Sequence, residues 1–290
     1  MKEQQLIQYI PYDKSWMIRM GILDLRFGKD TCLRALAGSQ IRLSDDLKAL
    51  MNALLSFPKE GREVIVGESA TLFRFLQFLA WTTGQEKVFI REGTLKDRQI
   101  TTDSSIVKLP IEKLLALDSG TSQWASAAIL CRDEEEVIVN PPYKLALTYE
   151  AVKHWKECYD QGQVWIPRLD ATIQRQAEAF LTMRYGEKTD FLPLHSEDYC
   201  FARALGFSTA GQGANRWSSL RGHESNRLLE MEKALQEANE RRPVSSNDHR
   251  VVEATAMFAR IYGIPVRFAR PECVAKSWPM FWEFMKETEV

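Results

Sequence analysis

Long apolar runs, paired cysteines and an excess of either charge are all missing from this sequence, and each absence removes a class of protein. The longest apolar stretch, Leu72 to Trp81, is interrupted by Arg74 and Gln77, so it is too short and too polar to cross a bilayer. No Cys-x-x-Cys pair occurs among the five cysteines, Cys32, Cys131, Cys158, Cys200 and Cys273, which argues against a zinc ribbon or a thioredoxin motif. Widely separated, odd-numbered thiols suit a reducing compartment. Lys and Arg number 38 against 39 Asp and Glu, a formal net charge of −1, whereas a general nucleic-acid or membrane-surface binder carries a large basic excess. An anion site in this chain must therefore come from local clustering of cations. No metal-ligand cluster or nucleotide-binding glycine loop is visible, Gly211-x-Gly213 being too short a match to weigh. The polar start Met1-Lys-Glu-Gln-Gln lacks an apolar signal region. A cytoplasmic, cofactor-independent protein with no membrane or nucleic-acid partner is expected.

What is present is an ordinary globular balance, 45% hydrophobic and 27% charged over 290 residues, enough for one large domain or two modest ones. Strand-like and helix-like segments alternate. Strands are expected at 63–67, 87–91, 105–109, 136–140, 164–167 and 265–268. Helices are expected from Ser44, with Leu47, Leu50, Met51, Leu54 and Leu55 on one stripe, and over 69–84, 121–130, 148–160, 173–185, 224–240, 248–262 and 278–287. Helices between short strands give an α/β class. No strict repeat or obvious linker appears.

Several short elements set cations beside small polar residues at strand–helix junctions. Lys14-Ser15-x-x-x-Arg19 puts Ser15 and Arg19 on one face of a helical start, where free N–H groups favour phosphate. Lys96-Asp97-Arg98 follows a strand, and Thr121-Ser122-Gln123-Trp124 opens an apolar helix. Further on stand Arg221-Gly-His223-Glu224-Ser-Asn-Arg227, Asn247-Asp248-His249-Arg250 and Cys273-Val-Ala-Lys276-Ser277-Trp-Pro. Arg250 opposes the positive end of its helix dipole, and a cation there gains a rationale if it holds a ligand. Taken singly, each element reads as a capped helix or a solvated charged loop.

Taken in order, they resemble the enolpyruvyl transferase family. Lys14-Ser15-x-x-x-Arg19 resembles that family's Lys-Ser-x-Ser-x-Arg, and Gly67-Glu68-Ser-Ala70-Thr71-Leu-Phe-Arg74 its Gly-Asn-Ala-Gly-Thr-x-x-Arg. Lys96-Asp-Arg98 is similar to Lys-Glu-Arg-Pro, Thr121-Ser-Gln-Trp124 to Ser-Ser-Gln-Phe, and Asn140-Pro-Pro-Tyr143 to Ser-Lys-Pro-Tyr. Glu224-Ser-Asn-Arg227 resembles Glu-Ser/Thr-Asp-Arg, Asn247-Asp-His-Arg250 matches Asn-Asp-His-Arg, and Cys273 to Pro279 resembles the closing Cys-x-x-Lys-Ser/Thr-Phe/Tyr-Pro. The resemblance runs from about residue 10 to about residue 285.

It implies a two-domain fold of βαβαββ units with substrate in the cleft. The first domain would span 14–185, and the second would combine 1–13 with 186–290. Family members are considerably longer, and the shortening falls between Arg19 and Thr121, Tyr143 and Glu224, and Arg227 and Arg250, so at least one unit is reduced or missing. The implied reaction transfers the carboxyvinyl group of phosphoenolpyruvate to the 5-hydroxyl of shikimate 3-phosphate and releases phosphate, a step toward aromatic amino acids and chorismate. By resemblance, Lys14, Arg98, Arg227, Arg250 and Lys276 would hold phosphoenolpyruvate. Ser15, Arg19, Thr121, Ser122, Gln123, Tyr143, Asp198 and His223 would face the acceptor. Lys14, Asp198, Glu224 and Lys276 would serve the chemistry, with Glu224 and Lys276 near the proton transfers and Asp198, or Glu197, as the general base.

Departures from the family pattern mark both sides of the site. Asn140, Ser219 or a neighbour, and His223 replace acceptor-side residues, which would fit another acceptor. Glu68 and Ala70 replace an asparagine and a glycine near the donor. A carboxylate at position 68 repels an anionic donor unless it is turned away or paired. Together with the missing segment, it also fits a non-catalytic relative that binds anions or simply folds. The added methyl of Ala70 should crowd glyphosate, a longer phosphoenolpyruvate mimic. Weak inhibition is therefore expected in a phosphate-release assay, and micromolar inhibition would count against this placement of Ala70.

Overall fold

The computed structural model describes residues 6–59, 61, 63–117, 121–132, 142–186, 198–216 and 226–288. The chain forms two compact units, Tyr12–Arg168 and Met1–Pro11 with Leu169–Val290, and each has its own apolar core.

Polar caps set the helix starts in the first unit. The Asp13 carboxylate accepts from Trp16 N at 3.0 Å and starts α1 (Lys14–Arg26), satisfying one of the free amides at a helix N-terminus. After α2 (Thr31–Ala37), the Ser44 hydroxyl accepts from Leu47 N at 3.4 Å and opens α3 (Asp45–Ser56). β1 (Glu63–Gly67) alternates as a one-sided strand does, with Val64 and Val66 buried and Ile65 47% exposed. α4 (Ala70–Thr82) then carries the chain to β2 (Val88–Arg91), which pairs parallel with β1. Parallel neighbours require such a crossover. α4 is apolar on most faces because it is surrounded, and Leu72, Phe75, Leu76 and Phe78 are fully buried. α5 (Ile111–Leu117), α6 (Gln123–Cys131) and α7 (Ala146–Asp160) complete the unit, with Trp81 of α4 stacked on Trp124 of α6 at 5.8 Å. The buried carboxylate of Asp24 ties α1 to its neighbours, accepting from Trp155 Nε1 at 2.7 Å and Cys32 N at 2.6 Å. Burial raises its pKa against the pull of those bonds.

The second unit contains α8 (Ala171–Arg184), α9 (Tyr199–Ala204), α10 (Ala210–Arg216), α11 (Arg227–Asn239), α12 (His249–Tyr262) and α13 (Phe281–Glu287). α12 is its axis and packs against α8, α9, α11 and the 3-10 turn Pro271–Lys276. Its first eleven residues, apart from Phe258 further along, are all buried. Gly263, at φ +64, ends it in the left-handed region that glycine adopts without strain. The fully buried Trp278 donates to the Tyr9 carbonyl at 2.7 Å, which holds the N-terminal strip against the C-terminal helices.

The architecture is thus mostly helical with a small parallel two-stranded sheet, an α/β character. Three expected strands differ. Residues 104–108 form a 3-10 turn instead, because Asp103 accepts from both the amide and the hydroxyl of Ser105, at 2.9 and 2.8 Å. Such local side-chain bonds compete with strand pairing. Val164 and Ile166 alternate with the buried Trp165, yet this segment has no sheet neighbour among the described residues. Residues 265–268 make only an isolated parallel bridge, Val244 with Phe268. The expected strand at 136–140 lies outside the described residues. Among them, no helix is long and apolar enough to cross a membrane.

The Asp170 cap on α8 is doubly used, accepting from Thr172 N and Ile173 N at 3.0 Å each. Asp170→Ala should lower unfolding stability by about 1 kcal/mol, read as a shift in the urea midpoint at constant slope. An unchanged midpoint would show that α8 is held by packing alone.

Candidate functional site

In the first unit the acceptor-side candidates Ser15, Arg19 and Gln123 sit on two polar chains. Arg19 is buried, 8% exposed. Its Nη1 donates to the Ser15 carbonyl at 2.8 Å and its Nε to Thr148 Oγ1 at 2.9 Å. The Thr148 hydroxyl passes on to Ser126 Oγ at 2.9 Å, and the guanidinium lies 5.5 Å from the centre of the Phe75 ring. Burial lowers the Arg19 pKa to about 10, with Asp13 opposing the shift and Arg168 adding to it. The second chain starts one turn earlier on α6. Arg74 Nη1 donates to Gln123 Oε1 at 2.5 Å, and Gln123 Nε2 donates to Thr71 Oγ1 at 2.8 Å. Residues Gln123 and Ser126, three apart, share a helix face. The two chains therefore meet the same side of α6. Ser122 donates to the Lys144 carbonyl at 2.8 Å, and Gln123 N lies 3.4 Å from Thr121 Oγ1. Tyr143 is 69% exposed.

The donor-side candidates of this unit are less concentrated. Lys14 Nζ is 3.0 Å from Asp46 Oδ2, an ion pair with both side chains mostly buried. The Arg98 carbonyl accepts from Arg91 Nη1 at 3.2 Å, beyond the end of β2. Glu68 follows β1 and lies across Gly93, where a Cβ would overlap its carboxylate. Thr94 Oγ1 is 3.5 Å from Glu68 Oε2. Gly93, at φ +47, thus admits the Glu68 side chain in a backbone conformation that favours glycine.

In the second unit the candidates converge on the buried start of α12. Asp248 accepts Arg250 N at 3.0 Å as helix cap and Arg227 Nε at 2.9 Å as ion-pair partner. Asp198 is fully buried, and both its oxygens are occupied, Oδ2 by Arg175 Nη2 at 2.6 Å and Oδ1 by Gln176 Nε2 at 2.9 Å. Gln176 Oε1 in turn lies 3.5 Å from Arg250 Nη1. Glu253 and Ser277 close the network, with Ser277 Oγ donating to Glu253 Oε1 at 3.1 Å. Lys276, half-buried, ends the 3-10 turn just before Ser277. Two thiols face this charge, and burial pushes both Cys200 and Cys273 up to about 12, so neither is a nucleophile at neutral pH.

Arg227, Arg250 and Asp198 are therefore neighbours in one network. Lys14 and Arg98 belong to the other unit. Glu224, His223, Ser219, Asn140 and Glu197 lie outside the described residues. Residues absent from the sequence-based set include Asp46, Ser126, Thr148, Arg175, Gln176 and Glu253. Only Glu253 left a sequence signal, a carboxylate three residues after Arg250 in a helix.

Among the described residues, no group of three or more His, Cys, Asp and Glu side chains is placed to hold a metal ion. An open cavity of ≈ 690 Å³ lies at the far end of α12, lined by Ala259, Arg260, Phe268, Trp282 and Lys286 among others. It contains none of the candidate residues, so the polar networks, not this cavity, carry the site assignment. No protein-family model matches this chain, and no curated protein matches it.

Asp198→Ala strands the buried amide of Gln176, while Arg175, 28% exposed at its side chain, can turn toward water. A loss of about 1–3 kcal/mol in unfolding stability is expected, measured by urea denaturation. No loss would separate Asp198 from the α12 network.

Proposed function

We propose that this protein is a compact carboxyvinyl transferase similar to 5-enolpyruvylshikimate-3-phosphate synthase, with phosphoenolpyruvate as donor and shikimate 3-phosphate as acceptor. The observation that carries this reading is the convergence of Arg227, Arg250 and Asp198, remote in sequence, on the start of α12. These are three of the positions that the resemblance assigns to donor and base. Fixed cations are what a reaction between two multiply charged anions needs first, since planar guanidinium groups meet carboxylate and phosphate with two parallel hydrogen bonds.

In this reading Lys14, Arg98, Arg227, Arg250 and Lys276 neutralise the donor. Ser15, Arg19, Thr121, Ser122, Gln123, Tyr143 and His223 hold the acceptor. The acceptor hydroxyl loses its proton to Asp198 or Glu197 and its oxygen bonds to C2 of phosphoenolpyruvate as C3 gains a proton from Glu224 or Lys276; return of one C3 proton to the protein and departure of phosphate from C2 then restore the double bond. Opposed proton transfers require an acid and a base in different environments. The protein acts without a cofactor, in the cytoplasm, in the enolpyruvyl transferase fold with at least one βαβαββ unit reduced.

A second reading, a non-catalytic relative, is favoured by one observation. Asp198 has both oxygens occupied and no exposed surface, whereas a general base has to reach its proton directly or through one water.

Phosphate release from phosphoenolpyruvate, measured with and without shikimate 3-phosphate, tests the first reading. Release that needs both substrates is expected, and Arg250→Ala should abolish calorimetric binding of phosphoenolpyruvate while the circular dichroism spectrum stays intact. Donor binding that survives Arg250→Ala would remove Arg250 from the site. Binding of neither substrate to the parent chain would favour the non-catalytic relative.

A further inference from the structure

The first turns of α12 hold two opposite charges on one face. Arg250 is 1% exposed and Glu253 0% exposed, and Arg250 Nη1 lies 3.8 Å from Glu253 Oε2. Their spacing of three residues brings the side chains together on the helix surface. A guanidinium keeps its charge at any pH a folded protein meets, and a buried charge requires a partner. Near a helix N-terminus the dipole disfavours Arg250 and favours Glu253, so the carboxylate offsets both the charge and the dipole. Ser277 Oγ donates to the other oxygen of Glu253 at 3.1 Å. One carboxylate thus spans the gap between Arg250 and the turn that ends in Lys276.

We propose that Glu253 is a built-in counter-anion that competes with ligand anions for Arg250. Because Arg250 is buried and paired with Glu253, a ligand anion at its guanidinium competes with this internal carboxylate. A ligand with a single carboxylate offers no more charge than Glu253 already supplies, whereas a phosphate or phosphonate dianion does. The site therefore discriminates in favour of doubly charged groups and against simple monocarboxylates. This rests on reading Arg250 as an anion-holding cation, and it adds to that reading a residue that sets which anions are taken.

The test is calorimetric titration of the full chain with orthophosphate, phosphoenolpyruvate and pyruvate, for the parent, Glu253→Gln, Ser277→Ala and the double variant Arg250→Ala/Glu253→Gln. Glutamine keeps the shape and the acceptor for Ser277 but removes the charge. Glu253→Gln is expected to bind orthophosphate at least about fivefold more tightly, within the usual range of coupling between sites, and to gain measurable affinity for pyruvate. Ser277→Ala, which keeps the carboxylate, should not tighten binding, and the gain should vanish in the double variant. A purely structural Glu253 would instead make Glu253→Gln bind equally or less well, and that result overturns the proposal. Should Glu253→Gln fail to fold, Glu253→Asp, which withdraws the charge by one methylene, must show the same direction of change. Tighter orthophosphate binding without phosphoenolpyruvate binding would sustain the counter-anion and sink the transferase reading. Phosphoenolpyruvate binding by the parent with no change in Glu253→Gln would do the reverse, and no anion binding by any variant overturns both.

Discussion

A guanidinium group taken out of water cannot discard its charge, so the fold around it has to supply hydrogen-bond acceptors in a fixed geometry. Arg19, Arg74, Arg227 and Arg250 are all buried, and much of the internal order of each unit follows from how they are satisfied. Arg19 uses neutral groups, the Ser15 carbonyl and the Thr148 hydroxyl, and burial depresses its pKa. Arg74 uses the amide oxygen of Gln123 and the face of Trp124, 5.8 Å away, which binds α4 to the start of α6. Arg227 and Arg250 use carboxylates of the same helix, Asp248 and Glu253. The bonds of Arg19 to Thr148, Arg74 to Gln123 and Arg227 to Asp248 each link two different elements.

Asp248 shows how one residue can serve two levels of structure. As cap it satisfies an α12 amide, and as counter-ion it fixes the start of α11 through Arg227. Ser246 Oγ lies 3.2 Å from Asp248 N and orients it. Truncating such a residue removes a cap and leaves a buried cation at once, so its effect exceeds that of either loss considered separately. The short turn from Val244 to Asp248 is similarly pinned, because the buried Glu237 accepts both the amide and the hydroxyl of Ser245 at 2.9 Å.

Local signals in the sequence carried the parts of the fold that depend on local physics. The Ser44 cap with its apolar stripe became α3, and the continuous apolar run became the surrounded α4. β1 and β2 were readable because short runs of β-branched and aromatic residues, Val64-Ile65-Val66 and Val88-Phe89-Ile90, bracket a helix. Segments 105–109 and 265–268 have strand-like composition too, but a strand exists only if a neighbour offers its ladder, and neighbours are not written in the segment itself. The short helices at 31–37, 111–117, 199–204 and 210–216 are below the length at which periodicity stands out. The same division holds at the candidate site. Arg227, Arg250 and Asp198 were reachable from motif order, whereas Gln176 and Arg175 look like ordinary helix-surface residues until α8 is docked beside α12. Thr148 and Ser126 are legible only through Arg19.

The near-zero net charge now acquires a structural meaning. In a basic protein an anion finds cations that water and salt merely screen. Here three of the five candidate cations stand against internal carboxylates: Lys14 against Asp46, Arg227 against Asp248, Arg250 against Glu253. Binding an anion to such a site is an exchange of partners, so its free energy is the difference between two ion pairs rather than the full value of one. Exchange of this kind weakens binding for every anion but weakens it most for those no better than a carboxylate, and selectivity follows from competition without any added steric wall. Glu68 is likewise held close to its own chain, its carboxylate laid across Gly93 with Thr94 Oγ1 3.5 Å away.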